Sequence, residues 1–210
     1  RLIAACPIVA YPAPEHGESL ARRIAAAHLT SSHTEIAIRM PLVAERFPAE
    51  AVFAAAARDL VAHLDVGRDV AVLCLGDPLL YGSFQHLFGR LGSTHRIVVV
   101  PGITSTSAAA ARLGFVLGTR NDVVSIVPAT LPDDEIVRRL ASCETAAIVK
   151  LGRHFGRVRE LLRARGWLAD ARYAEHLGME SERIVAIDAV DPARVPYFSI
   201  LLVRGGAPSA

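Results

Sequence analysis

Hydrophobic and polar positions along the chain follow two periods. Pro7 to Tyr11 is a short apolar run and predicts a strand. From Gly17 to Leu29, Leu20, Ile24 and Ala27 fall on one side and Arg22 and Arg23 on the other, a helical spacing. Glu35 to Arg39 alternates and predicts a strand. Pro48 to Leu64 is Ala-rich, with Phe53, Ala57, Leu60 and Leu64 at helical spacing, and Pro48 suits a first helical turn. Asp69 to Leu75 is nearly all apolar, as expected of a strand buried on both faces. A helix (Ser83 to Leu91), a strand (Arg96 to Val100) and a helix (Thr104 to Leu113) follow. The two glycines and polar residues of Gly114 to Asp122 break the alternation, so a domain boundary is expected there, with domains at 1–118 and 119–210.

The second half predicts a strand at Val123 to Val127, a helix at Pro132 to Leu140, a strand at Thr145 to Lys150 and a helix at His154 to Arg165. Three strand-like runs then follow with no helix between them: Ala171 to Glu175, Arg183 to Ile187 and Tyr197 to Val203. Strand–helix alternation in the first half argues for a mostly parallel sheet. Consecutive strands in the second half argue for a mixed sheet with antiparallel members. The fold class expected is α/β, in two domains. Gly205 to Ala210 reads as a frayed tail.

Composition narrows the function. Hydrophobic residues make up 52% of the 210 and charged residues 21%, enough for a sizeable core. The net charge of +2, from 23 basic and 21 acidic residues, leaves no electrostatic footprint for nucleic acid. No apolar run reaches the roughly 20 residues that span a bilayer, so no membrane partner is expected. Cys6, Cys74 and Cys143 are odd in number, lack CxxC spacing and sit beside apolar residues, which fits buried free thiols in a reducing, cytoplasmic compartment. The opening residues read like the tail of a helix. The eight histidines are scattered without paired spacing, so no metal site is expected.

Ligands of open α/β sheets bind beyond the carboxyl ends of the strands. Three segments lie at such ends: Leu75 to Ser83, Pro101 to Ser107, and Lys150 to Arg153. In the first, Gly76 permits close backbone approach, Pro78 stiffens the turn and Asp77 brings a carboxylate to the rim. Gly, Asp and Pro are also ordinary turn residues. In the second, the hydroxyls suit either a helix cap or a polar ligand. The third has the same two readings. Dinucleotide, phosphate-loop, nucleophile-elbow and HExxH signatures are absent, and Asp133-Asp134-Glu135 reads as an acidic first helical turn.

Leu75-Gly76-Asp77-Pro78 with Tyr81-Gly82, followed by Val100-Pro101-Gly102-Ile103-Thr104-Ser105, resembles the tetrapyrrole (corrin/porphyrin) methylases over the whole chain. The resemblance implies two α/β domains with an active-site cleft between them, S-adenosylmethionine as methyl donor and S-adenosylhomocysteine as product. It also implies a small-molecule tetrapyrrole substrate and a homodimer. By motif match, Leu75, Gly76, Asp77, Leu80 and Tyr81 should contact the donor, with Thr104 and Ser105 from the second loop. Leu151, Leu177, Tyr197 and Phe198 should contact it from the second domain. Arg39, Arg46 and Arg120 are candidates for substrate carboxylates, or else solvated surface arginines. Tyr11 and Tyr81 would stack on the macrocycle or sit in the core. No catalytic base is named.

Further matches are Tyr81-Gly82-Ser83-Phe84, Lys150-Leu151-Gly152-Arg153, Tyr173-Ala174-Glu175-His176 and Val195 to Ser199. These imply methylation of carbon 20 of precorrin-2. The alternatives are the cobalt-loaded substrate, another reaction of the family, and non-catalytic tetrapyrrole binding. The family opens with a strand and a Gly-Pro-Gly-Asp loop, which the resemblance expects upstream of Arg1. Leu75 stands where relatives often carry an acidic residue or glycine.

Overall fold

The computed structural model describes residues 1–40 and 46–206, with the backbone alone for 46–49. The chain divides into two compact units, Arg1–Ile103 and Thr104–Ala210.

In the first unit the elements run α1 (Leu2–Ala5), β1 (Ile8–Pro14), α2 (Leu20–Ala25), β2 (Thr34–Met40), α3 (Arg46–Leu64), β3 (Val70–Val72) and α4 (Gln85–Leu91). The strands form a parallel sheet in the order β2-β1-β3. The central strand β1 is buried on both faces because its apolar run continues through successive residues. Ala10 faces a cluster with Phe53, Leu60 and Leu87 from α3 and α4, while Val9, Tyr11 and Ala13 face the other way. Ser19 caps α2, accepting from the Arg22 amide at 3.3 Å, and donates its hydroxyl to the Pro12 carbonyl at 2.6 Å.

Two expectations for this unit need correction. The apolar run at 69–75 forms only the short strand β3, which is half-buried rather than enclosed; among the described residues it pairs with β1 alone. Residues 96–100 alternate as a strand should. Ile97 and Val99 join the cluster around Phe53, and Val98 and Val100 face outward. They nevertheless make no ladder among the described residues. Local pattern sets a pleat, but a strand also needs a partner edge.

The second unit contains α5 (Ser105–Leu113), β4 (Val124–Pro128), α6 (Asp133–Ala141), β5 (Thr145–Val149), α7 (Phe155–Ala164), β6 (Arg172–Glu175), β7 (Arg183–Val185) and β8 (Ser199–Arg204). The sheet order is β4-β5-β8-β6-β7. Strands β4 and β5 are parallel, and β8 is antiparallel to both β5 and β6. Alternation along each strand sends side chains to two layers. Ile148, Tyr173, Leu201 and Val203 pack with Phe155, Leu162 and Ile136 of α7 and α6. Ala147, Ala174, Ile200 and Leu202 pack under Ala109 of α5. Burial of a side chain such as Phe155 contributes about 1.5–3 kcal/mol. Helix α5 therefore belongs to the second unit, and the division falls after Ile103 rather than at the expected 118/119.

At the end of β6 the buried Glu175 carboxylate pairs with a buried tyrosine and an exposed arginine. The Tyr173 hydroxyl donates to the Glu175 carboxylate, and Arg183 Nη1 donates to Glu175 Oε1 at 2.8 Å. Removal from water pushes the Glu175 carboxyl upward, but the bonds from Tyr173 and Arg183 outweigh it and leave the net value below the ordinary glutamate range. Because the folded value lies below the unfolded one, this stabilisation is present above about pH 4.5 and is lost as pH falls through the lowered value. The gap in melting temperature between wild type and Glu175→Gln should therefore close in acid. A gap that stays constant from neutral pH to pH ~3 would contradict this account.

Candidate functional site

Strand β3 delivers the chain into the loop 75–82. Gly76 adopts φ +65°, which favours glycine. Asp77 then uses both carboxylate oxygens on main-chain donors. Oδ1 accepts from the Leu79 amide at 2.9 Å, an Asx turn, and Oδ2 accepts from the Gly102 amide at 3.1 Å. The Leu80 amide donates to the Asp77 carbonyl at 3.3 Å. The 75–82 and 101–103 loops are thus clipped together by one side chain. Their backbones approach so closely that a Cβ on Gly102 would lie 2.7 Å from the carbonyl carbon of Gly76, and nearer still to its oxygen.

Leu75, Leu79, Leu80 and Tyr81 are exposed, and Ile103 is 77% exposed, an apolar surface uncommon around an ordinary turn. Tyr81 has φ +55°, a strained conformation for a side-chain-bearing residue. Phe84 is buried and anchors the loop to α4. Behind it, burial and then the Asp77 charge push the Cys74 thiol up to about 11, so it stays protonated and unreactive.

In the second unit, β5 and β6 both run opposite to β8, so their carboxyl ends share one sheet edge with the start of β8. Three of the expected segments meet at that edge. Lys150 (φ +58°) follows β5 and His176 (φ +52°) follows β6, both in the left-handed region. The His176 amide donates to the Phe198 carbonyl at 2.8 Å. Tyr197, 73% exposed, packs edge-on against Phe198 with centroids 5.2 Å apart. Leu177 is partly buried under α5. Leu151 is fully buried in the core below the edge, and its carbonyl accepts from the His154 amide at 2.7 Å. Thr104 caps α5, accepting from the Ser107 amide at 3.1 Å, and Ser105 is exposed in the first turn.

Tyr11 is buried and donates to Glu35 Oε2 at 2.8 Å, and Arg22 pairs with both oxygens of the same carboxylate at 2.7 and 2.9 Å. The bonds from Arg22 and Tyr11 hold the Glu35 carboxyl below its usual range. Arg39 spends Nη1 on the carbonyls of Pro14 and Gly17, at 3.1 and 2.9 Å, and braces the loop after β1. Arg120 sits exposed in the 119–122 turn of the second unit at φ +46°. Arg46 heads α3, and its side chain lies outside the described residues.

Sequence reading missed the double use of the Asp77 carboxylate, because Gly102 is 25 residues away. It also missed Lys150 and His176 as strained positions, since neither residue type signals a left-handed backbone. A cavity of about 520 Å³ lies elsewhere in the second unit, among Leu113, Leu168, Arg172, Ile184 and Asp188, beside the start of β6. Among the described residues, no group of three or more His, Cys, Asp or Glu is placed to hold a metal, and no helix is long and apolar enough to cross a membrane.

Comparison with known proteins gives the following. The sequence model of the tetrapyrrole (corrin/porphyrin) methylases matches residues 1–191. The cobalamin biosynthesis protein CobIJ of Mycobacterium tuberculosis is 41% identical over 214 aligned residues, covering 98% of this chain and 42% of that protein. The chain thus spans less than half the length of this relative. A precorrin-2 C(20)-methyltransferase of a Sinorhizobium species is 42% identical over 151 residues, covering 72% of this chain and 62% of that enzyme. The crystal structure of uroporphyrin-III C-methyltransferase from Thermus thermophilus complexed with S-adenosylhomocysteine has the same fold. It shows a TM-score of 0.60 at 20% identity and covers 97% of this chain and 82% of that one.

Proposed function

The chain belongs to the tetrapyrrole (corrin/porphyrin) methylases, and from that premise we propose that it methylates carbon 20 of precorrin-2, with S-adenosylmethionine as donor. The observation that carries this reading is the 42% identity to the Sinorhizobium precorrin-2 C(20)-methyltransferase.

The clipped loops suit the donor. They offer main-chain groups around Gly76 and Gly102 and exposed apolar side chains at Leu75 and Leu80, a donor set matched to a nucleoside carrying a short aliphatic chain. When bound, S-adenosylmethionine supplies a methyl group on a sulfonium whose sulfur leaves as a neutral thioether. The residues proposed to hold it are Leu75, Gly76, Asp77, Leu80, Tyr81, Thr104, Ser105, Leu177, Tyr197 and Phe198, with the buried Leu151 supporting its segment from beneath. Asp77 acts by fixing the loops, since both its oxygens are taken. Leu75, Leu80 and Tyr81 exclude water. A meso carbon of a reduced tetrapyrrole is itself electron-rich and releases one proton to solvent as its C–CH3 bond replaces the S–CH3 bond, so the protein's work is alignment rather than activation of a nucleophile. The working form proposed is a cytoplasmic homodimer.

The test is anaerobic incubation of the protein with S-adenosylmethionine and precorrin-2, followed by mass spectrometry. The expected result is gain of one methyl group. Light scattering on the same preparation should give twice the 22.5 kDa chain mass. Recovery of unmethylated precorrin-2, with methylation of its cobalt-loaded form instead, would move the assignment to the metallated substrate.

A further inference from the structure

Glu182 has no role in the reading above, yet it joins two of the segments assigned to the donor. Its Oε2 accepts from the Gly178 amide at 2.9 Å, inside the 176–182 turn that carries Leu177. Its Oε1 accepts from Arg112 Nε at 2.5 Å, in the last turn of α5, the helix that begins at Thr104 and Ser105. The Glu182 side chain is largely covered, whereas that of Arg112 is mostly exposed. The Gly178 amide and then Arg112 hold the carboxyl below its usual range.

A second observation points the same way. Leu177 packs in the apolar cluster that contains Ala109 and Ala110 of α5. The turn closes on itself through Met179 N–H to the His176 carbonyl (2.9 Å) and Glu182 N–H to the Met179 carbonyl (3.0 Å). The turn is therefore a small unit fastened to α5 by one apolar and one charged contact. The His176 amide bond to Phe198 ties it to the start of β8.

We propose that Glu182 is a positioning residue for methyl transfer: its carboxylate locks the 176–182 turn onto α5, so that Leu177 and the start of α5 keep one arrangement toward the donor. This rests on the reading that those segments hold S-adenosylmethionine.

The test compares Glu182→Ala, Glu182→Gln and Arg112→Ala in the whole protein. It uses calorimetric titration with S-adenosylhomocysteine and steady-state methyl transfer. Glu182→Ala should weaken binding, and raise KM for the donor, by about 10-fold, with kcat at saturating donor within about twofold. Glu182→Gln keeps an oxygen for the Gly178 amide and should recover binding to within about threefold. Arg112→Ala removes the α5 end of the lock and should weaken binding by about threefold, within the range of an exposed pair, and wild-type affinity there would overturn the proposal.

Wild-type affinity in Glu182→Ala would overturn the proposal alone. So would equal weakening in the Ala and Gln variants that tracks their loss of melting temperature, since that marks a purely structural role. Failure of the wild type to bind S-adenosylhomocysteine would overturn the donor reading, and the proposal with it.

Discussion

Replacing Gly102 with alanine is expected to lower methyl transfer by about 100-fold, the scale associated with an ångström-sized misplacement in a catalytic site. The new Cβ would fall 2.7 Å from the Gly76 carbonyl carbon and 3.3 Å from the Asp77 amide nitrogen, and closest of all to the Gly76 oxygen. These are main-chain atoms and cannot rotate aside, so the 75–82 and 101–103 loops have to part. Overpacking of this kind costs about 1–3 kcal/mol, which should lower the melting temperature by several degrees without unfolding the unit. Binding suffers more, because the parted atoms are the ones assigned to the donor. Calorimetry with S-adenosylhomocysteine measures the effect. Gly89→Ala is the control: that glycine lies within α4 and its added methyl meets nothing within 4 Å, so binding should be unchanged. A Gly102→Ala protein that binds as the wild type does would remove the loop pair from the site.

Much of the fold is legible in the sequence because its signals are local. The strand-like runs read at 145–150, 171–175 and 197–203 form strands whose two faces enter separate layers. The hydroxyls of 104–107 mark a helix start, and Thr104 caps it. What escapes reading is set at long range. Residues 96–100 carry a strand's pattern without a ladder among the described residues. Helix α5 joins the second unit because its alanines fit under β8, and its own sequence does not say which sheet will receive it. The candidate site divides along the same line. Gly-Asp-Pro announces a turn at a strand end, and the turn is there. Tyr11 and Arg39 have the right chemistry for a tetrapyrrole, but residue type does not reveal that Tyr11 will be buried against Glu35 or that Arg39 will brace a loop.

Asp77→Asn should be nearly as damaging as Asp77→Ala, and this near-equality separates two roles for the residue. The carboxylate accepts from Leu79 N–H on one oxygen and from Gly102 N–H on the other, at 2.9 and 3.1 Å. An amide side chain has only one oxygen, so Asn can satisfy one donor and must turn its NH₂ toward the second. Hydrogen bonds to a charged group contribute about 1.5–3 kcal/mol each, and losing one corresponds to roughly 10- to 100-fold in a coupled equilibrium. The clip holds the loops together only while both bonds are made, so Asn opens it as Ala does: both variants should weaken S-adenosylhomocysteine by that range and lie within about threefold of each other. Were Asp77 instead an acceptor that touches the ligand directly, Asn would retain the contact and outperform Ala by about tenfold. Amide exchange at Gly102 supplies the independent readout: it should accelerate in both variants, because the bond that protects it is the one that clips the two loops together.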